Sequence, residues 1–379
     1  MAQATSSTSE TIVGSTTTIV ETTVEVRSVA PGKTKRQIDN LYPPKSHALQ
    51  ISKYGDTSVF QWAEVSTVQI QSPYDVIIKV SAAGVNPFDY KFRKGNYAVF
   101  GKVRFPLVLG LEFSGIVVAK GEKVNKVHLL DKIWGTIRGG CYSEFIRVNT
   151  ATEYGVALKP TSISHIEAAG APIGALSAYG ALVTLGELPV GDKAEAGKHK
   201  VLIIGASGGV GTFAVQIAKV LCKAKVTAIC SGANAELVRG LGADKVVDYT
   251  IQDFTADDND YDVVVDCVGH QNDFYHKTIP LLKKKGTFVS VAYDNDDDKV
   301  SLGDLTKMGF QYVGRKFFGA RKYRALYGVN RKDFSKLVPY FERHEIKTVV
   351  AEKFPLREAA KAHEKIETHR TAGKIILTT

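Results

Sequence analysis

A short apolar run, Lys200-Val-Leu-Ile-Ile204, leads directly into Gly205-Ala-Ser-Gly-Gly-Val-Gly211. A helical stripe of Val210, Phe213, Ala214, Ile217, Ala218 and Leu221 follows. No other feature constrains the chain as much. A buried strand, a glycine turn and an amphipathic helix in this order make the first half of a βαβ unit. Small residues in the turn let the backbone approach a pyrophosphate, and the helix N-terminus offers free N–H groups and the positive end of its dipole. Gly208 and Gly211 fill the second and third places of the G-x-G-x-x-G fingerprint. Ala206 stands at the first, with Gly205 and Gly209 keeping the turn permissive. Ala206, Ser207, Gly208, Gly209, Val210 and Gly211 are therefore candidate dinucleotide contacts, and a tight turn without a ligand is the alternative. The apolar strand KVTAIC that follows supplies the context a bare fingerprint lacks.

The end of that second strand selects among dinucleotides. An acid there would bind the ribose 2′-hydroxyl of NAD, but the chain reads Cys230-Ser-Gly-Ala-Asn234. Room is left for a 2′-phosphate, which Ser231 and Asn234 can hydrogen-bond, and Tyr249 ends the next strand within reach of the same place. NADPH is expected over NADH. Ser231 as a helix cap and Tyr249 as an ordinary sheet tyrosine are the plain alternatives.

The chain has 379 residues, enough for about two domains. Its first forty are rich in Ser and Thr with too few apolar residues to build a core, and read as a mobile tail. From about Tyr42 to Asn149 come short runs rich in Val, Ile and Phe, with turns assigned to Gly84, Gly95, Gly121 and Gly140, which indicate a compact β-rich unit. An alanine- and glycine-rich helix follows Ile166, and strands then alternate with helices to about residue 320, as in a parallel sheet covered on both faces. The end of the chain carries two amphipathic helices and a strand, GKIILTT.

A net charge of +10 selects no partner by itself. Four scattered cysteines without a CxxC pair indicate a reducing compartment, no disulfides and no structural zinc. Glu10, Glu21 and Glu25 precede the first arginine, Arg27, unlike a mitochondrial presequence, and no apolar run is long enough for a signal or a span. The cytoplasm is the expected location, with peripheral membrane attachment open. The basic-aromatic segment Arg315 to Arg324, with Arg331 and Lys332, suits an anionic lipid surface better than nucleic acid, which is not expected. The acidic run Asp294 to Asp298 reads as a solvated loop.

Several blocks together resemble the medium-chain dehydrogenase/reductase superfamily, in its zinc-free, quinone-oxidoreductase-like branch. They are AAGVNPFDYKFRKG (82–95), FPLVLGLEFSGIVVAKG (105–121), GGCYSEF (139–145), VLIIGASGGVGTFAVQIAK (201–219), LGADKVVDY (241–249), YDVVVDCVG (261–269) and AGKIILTT (372–379). The resemblance implies an α/β chain in which a Rossmann doubly wound parallel sheet is inserted into a GroES-like β-rich catalytic domain. The expected divisions are a tail over 1–40, the first part of the catalytic domain over 41–171, the Rossmann domain over 172–330 and the rest of the catalytic domain over 331–379.

In zinc-dependent relatives a cysteine ligand occupies the place of Asn86 and a His-Glu pair the place of Leu111-Glu112, so two ligands are missing and no metal is expected. Hydride transfer is the cofactor's own chemistry, and the protein has to hold the nicotinamide and polarise the accepting carbonyl. Asn86 can donate its amide to that oxygen or to the cofactor ribose, Tyr97 can donate its phenol to an enolate or quinone oxygen, and both match positions lining the cleft of quinone oxidoreductases. A turn signal at Asn86-Pro87 and simple packing of Tyr97 are the alternatives. Asp89 is expected to fix the loop. Gly269 resembles the glycine beside the nicotinamide, with a plain turn as the alternative. The family's 2′-phosphate lysine falls near Asn234, and Arg370 and Lys374 are expected to compensate. The substrate implied is a quinone or an α,β-unsaturated carbonyl, and the assembly a homodimer; the basic-aromatic segment falls near the family's cleft rim and dimer surface, where Phe317 and Phe318 are expected to pack against substrate or a partner subunit. The competing reading is a non-catalytic, membrane-associated targeting or adaptor protein that kept the fold.

Overall fold

The computed structural model describes residues 42–98, 101, 103–153, 155–256, 260–269, 273–291, 313–315 and 321–379. The Ser/Thr-rich tail, the acidic run Asp294 to Asp298 and the pair Phe317 and Phe318 lie outside them. The Val- and Ile-rich runs of the first third form eight strands. These are Lys45–Ile51 (β1), Phe60–Ser66 (β2), Asp75–Val85 (β3), Leu107–Val108 (β4), Glu112–Lys120 (β5), Lys132–Thr136 (β6), Phe145–Asn149 (β7) and Val156–Leu158 (β8). One correction concerns Gly84, which is a mid-strand residue of β3 paired with Glu112 of β5, and no turn occurs there.

The expected single Ala/Gly-rich helix is also divided. Pro172 lacks an N–H and cannot continue a helix, but it suits a helix start, so His165–Ala169 ends there and Pro172–Tyr179 begins. With Pro87–Lys94 as α1, these are α2 and α3.

Six strands then form the parallel sheet: Lys200–Ile204 (β9), Lys225–Cys230 (β10), Lys245–Asp248 (β11), Tyr261–Asp266 (β12), Leu282–Ser290 (β13) and Lys322–Ala325 (β14). Their order is β11-β10-β9-β12-β13-β14, and every pairing is parallel. The sequence direction reverses between β9 and β12, which is where doubly wound sheets open a crevice at their carboxyl edge. Helix Gly211–Val220 (α4) crosses one face and is buried nearly all round, Thr212 and Gln216 included. Its expected stripe is thus only part of its contact. Ala235–Gly240 (α5) and Phe274–Thr278 (α6) are shorter.

The C-terminal elements are Phe334–Glu342 (α7), Val350–Pro355 (β15), Ala359–Glu367 (α8) and Lys374–Thr378 (β16). Phe341 of α7 packs against both Phe213 of α4 and Trp134 of β6. Strand β16 returns to the first sheet, whose order is β15-β16-β3-β5-β6-β8 with β7 on β3. It runs antiparallel to β3 with Ile375 opposite Val85 and Ile376 opposite Gly84. This register brings Lys374 beside Asn86.

Candidate functional site

Asn86 follows the last residue of β3 and opens α1, with Pro87 at the first helical position. Its backbone N–H donates to Asp89 Oδ2 at 2.8 Å, so the carboxylate fixes the strand-to-helix corner, the role expected of Asp89. The amide side chain is held between charges. Its Nδ2 donates to Glu112 Oε1 at 2.9 Å, and its Oδ1 accepts from Lys374 Nζ at 2.6 Å. Lys374 Nζ also lies 2.8 Å from Glu112 Oε1, and Glu112 Oε2 accepts the Ile173 N–H at the start of α3, 2.8 Å away. All three side chains are buried. An anion at a helix start is favourable, and a buried acid needs such partners, because an unpaired one costs several kcal/mol.

Gly84 provides the space for this acid. A Cβ there would stand 2.2 Å from Glu112 Oε1, so only glycine lets the carboxylate lie across the sheet. Lys374 was expected to compensate at a 2′-phosphate; the β16–β3 register instead places its ammonium on Asn86 and Glu112.

The site adjoins the glycine turn directly. The Gly373 N–H donates to the Ser207 carbonyl at 2.9 Å, and a Cβ at Gly209 would lie 3.2 Å from Cδ of Lys374. Within the turn, Gly205 has φ +77, a conformation that favours glycine. A Cβ on Gly211 would approach the Gly205 carbonyl oxygen to 2.1 Å, so its glycine serves the close packing of helix on strand. Gly208 by contrast has only that oxygen near it, at 3.4 Å. Ala206 is buried and ties the turn to β10 through Ile229, while Val210 is half-buried before α4.

At the edge of the turn, Asn234 Nδ2 reaches both Ser207 Oγ and Ser231 Oγ at 3.2 Å, making one neutral polar cluster of three expected residues. Tyr249 stands beside it with its N–H on the Cys230 carbonyl, 3.2 Å, and its side chain exposed. Asp248 brings an acid to this side, its Oδ2 2.3 Å from where a Cβ on Gly232 would stand. Hydrogen bonds from Thr250 and then from the Gly232 N–H hold its carboxyl below the usual range. Gly269 takes φ +65, and Asp266 Oδ1 accepts its N–H at 3.0 Å. Arg370 is exposed in the turn before β16.

Tyr97 follows the end of α1, its ring stacked on Phe88 at 4.8 Å and near Phe92. Burial raises the pKa of its phenol.

A second buried chain supports the corner from behind. Tyr142 Oη lies 3.2 Å from both Asp89 Oδ2 and His363 Nε2, and Arg93 Nε donates to His363 Nδ1 at 3.3 Å. Arg93 also reaches the Gly55 carbonyl and Glu367. Burial pushes Asp89 up to about 7, with the Glu112 charge adding to it. Burial, then Arg93, pushes His363 down to about 3, so its ring is neutral at physiological pH.

None of Glu112, Tyr142, His363 or Arg93 stood out as a site residue in the sequence. Glu112 carried a signal all the same, because an acid inside an apolar strand, GLEFSGIVV, has to find a cation.

The described part of the basic-aromatic segment is built into the sheet. Arg315 pairs with Asp273 at 3.2 Å and sits over the Tyr275 and Tyr323 rings, Arg321 Nε donates to the Leu282 carbonyl, and Lys322 faces Glu187. These cations are committed to internal contacts. No helix among the described residues is long and apolar enough to cross a membrane. All four cysteines are free thiols.

Residues 72–182 match the alcohol dehydrogenase GroES-like domain family, and residues 241–377 match the zinc-binding dehydrogenase family. Zinc does not fit the residues present. Lys374 already fills Asn86 Oδ1 and Glu112 Oε1 with a cation, and no three His, Cys, Asp or Glu side chains converge among the described residues.

The chain is 32% identical over 355 residues to NAD(P)H oxidoreductase RTN4IP1, mitochondrial, of Bos taurus, covering 86% of this chain and 87% of that protein. It is 30% identical over 348 residues to the NADPH-dependent alkenal/one oxidoreductase, chloroplastic, of Arabidopsis thaliana, covering 89% and 81%. The solved quinone oxidoreductase of Coxiella burnetii superposes with a TM-score of 0.72 at 27% identity, over 88% of this chain and 99% of that one. With its β-rich catalytic sheet and its parallel dinucleotide sheet joined at Asn86, Lys374 and the glycine turn, the chain belongs to the medium-chain dehydrogenase/reductase superfamily of oxidoreductases, in the quinone-oxidoreductase-like branch.

Proposed function

We propose that the chain is a zinc-independent, NADPH-dependent reductase that delivers hydride to a quinone or an α,β-unsaturated carbonyl. The observation that carries this reading is the contact of the Asn86–Lys374–Glu112 cluster with the glycine turn through Gly373 and Ser207. It puts a polar, buried reaction corner beside a dinucleotide turn. Bound NADPH supplies the hydride from C4 of its nicotinamide. The small residues 205–211 admit the pyrophosphate, and Ser207, Ser231, Asn234 and Tyr249 offer neutral donors to a 2′-phosphate, with Arg370 as the nearby cation. Asn86 orients the substrate carbonyl, and Tyr97, on the apolar face of Phe88 and Phe92, donates its phenol at the substrate's far side. Gly269 keeps backbone bulk away from the nicotinamide.

We read the protein as a homodimer of a reducing compartment, the cytoplasm, in keeping with four free thiols. Sedimentation and cell fractionation test those two points.

The central test is titration of the purified protein with NADPH and NADH by nicotinamide fluorescence, then a panel of quinones and enones. Micromolar NADPH binding with substrate-dependent oxidation, unchanged by a chelator, is the expected result. Asn86→Ala and Tyr97→Phe should lose turnover while keeping NADPH affinity. Failure of both nucleotides to bind at millimolar concentration would overturn the reading.

A further inference from the structure

An ammonium carries three donors, and a buried one is tolerated only when its charge is met. Lys374 Nζ spends one N–H on Glu112 Oε1 and one on Asn86 Oδ1, and the third has no protein acceptor among the described residues. Asn86 Nδ2 likewise gives one of its two hydrogens to Glu112 and keeps the other. Two unspent donors therefore sit on adjacent side chains, and both side chains are locked. Glu112 is anchored by the Ile173 N–H and seated in the space at Gly84, while the Lys374 stem runs along Gly209. The Gly373–Ser207 bond ties this point to the glycine turn.

We propose that the Lys374 ammonium and the Asn86 amide together form an oxyanion site, which receives the carbonyl oxygen of the substrate and holds the negative charge that hydride transfer places on it. This rests on the reductase reading above. For an enone, the β-carbon gains a C–H bond from hydride given by NADPH, which is oxidised to NADP⁺. The C=C pair shifts to join the α-carbon and the carbonyl carbon, and the C=O π pair moves onto oxygen. A proton from water then forms the α C–H bond and restores the carbonyl. Lys374 serves as the partner of buried Glu112 and takes no part in the proton transfer. The Lys374–Glu112 pair is neutral as a whole, and its ammonium end offers N–H donors and the positive end of the pair's dipole to the developing oxyanion.

The test uses 4-nitrophenol bound to the full chain in the presence of NADP⁺, together with single-turnover oxidation of NADPH by the best quinone or enone. In the wild type, bound nitrophenol should ionise at a pH lower than in water by about 1 to 3. Lys374→Arg should keep that displacement. Glu112→Gln/Lys374→Gln, which removes both charges together and so leaves no lone buried ion, should abolish it. In the same double variant hydride transfer should slow by about 100- to 1000-fold with NADPH affinity unchanged.

The proposal is overturned if nitrophenol fails to bind the wild type or ionises as it does in water. It is equally overturned if the double variant loses NADPH affinity at an unchanged single-turnover rate. Displaced ionisation without turnover of any quinone or enone retires the reductase reading and leaves the oxyanion site standing. Turnover without displaced ionisation does the reverse.

Discussion

Substituting Gly84 by alanine should break the buried ion pair without altering either of its members. An ideal Cβ at Gly84 would stand 2.2 Å from Glu112 Oε1, 2.7 Å from its carboxyl carbon and 2.6 Å from the Ala169 carbonyl oxygen. That carbonyl ends α2 and is fixed, so the carboxylate has to retreat by about 1 Å to reach ordinary contact. A retreat of this size takes the 2.8 Å bonds from Lys374 and Ile173 out of hydrogen-bonding range. Overpacking alone costs ~1–3 kcal/mol, and separating a buried pair costs ~3–5 kcal/mol. Both arise from one displacement and overlap, so ~3–5 kcal/mol is the expected total. Unfolding entropy over Leu41–Thr379 amounts to roughly 0.7 kcal/mol per kelvin, which converts the loss to a Tm lower by about 4–7 °C. Calorimetry measures it, and NADPH turnover should fall with it. Adding Glu112→Asp, which shortens the acid by one methylene, should recover part of the loss. A Gly84→Ala protein that melts and turns over like the wild type would refute the idea that this glycine exists to seat the acid.

Three further outcomes follow from the same geometry. Gly208→Ala should leave the Tm of the free protein unchanged while weakening NADPH binding, whereas Gly211→Ala, whose Cβ would meet the Gly205 oxygen at 2.1 Å, should lower stability by ~1–3 kcal/mol; equal Tm losses in the two would count against the division of roles. Asp89 keeps its proton up to about 7 when folded but only to about 3.9 when unfolded, so the folded state binds more protons across that window and stability falls as pH rises through it. The Tm of Asp89→Asn relative to wild type should therefore climb between these limits, and a constant difference would contradict it. Burial pushes the Cys222 thiol up to about 12 and raises Cys141, Cys230 and Cys267 too; iodoacetamide at neutral pH should leave the native thiols unmodified and label four after unfolding.

The strand, glycine turn and helix at 200–221 were legible because each is a local device: an apolar run, residues without bulk, and a 3.6-residue stripe. Asn86 was legible for a related reason, since a strand end and a proline adjoin it, whereas Asp89 was legible through the resemblance to the family. Lys374 was expected on the cofactor side, and its place beside Asn86 and Glu112 was not legible. Its position depends on β16 pairing with β3 across almost three hundred residues, and no periodicity carries that information. Gly84 misled for a similar reason. A glycine in a β-rich segment ordinarily marks a turn, and only the cross-strand register with Glu112 shows that its missing side chain is filled by another residue's carboxylate. The chain Asp89–Tyr142–His363–Arg93 joins three separated segments, because Asp89 and Arg93 share α1, and nothing in the sequence near Tyr142 or His363 points to the other two.

That dependence on register makes the C-terminal strand the element that both joins and aligns the two halves of the site. Residues directly opposite in neighbouring strands share a face, so Ile376, Gly84 and Glu112 lie in one row across β16, β3 and β5. Lys374, two residues before Ile376, projects on the same side. Ile375 and Leu377 point the other way, into the catalytic core beside Val85 and Phe113, while Ile376 packs with Ala82 and Ala169. A slip of β16 by one residue would bury the wrong set on both faces at once, and sequences buried on both sides specify their register strongly. The same slip would carry Lys374 to the opposite face and leave Glu112 uncompensated. It would also move the Gly373 N–H off Ser207, so the glycine turn and the reaction corner would lose their alignment together. Apolar packing at three consecutive positions thus fixes, through geometry alone, where one buried positive charge stands relative to the dinucleotide turn.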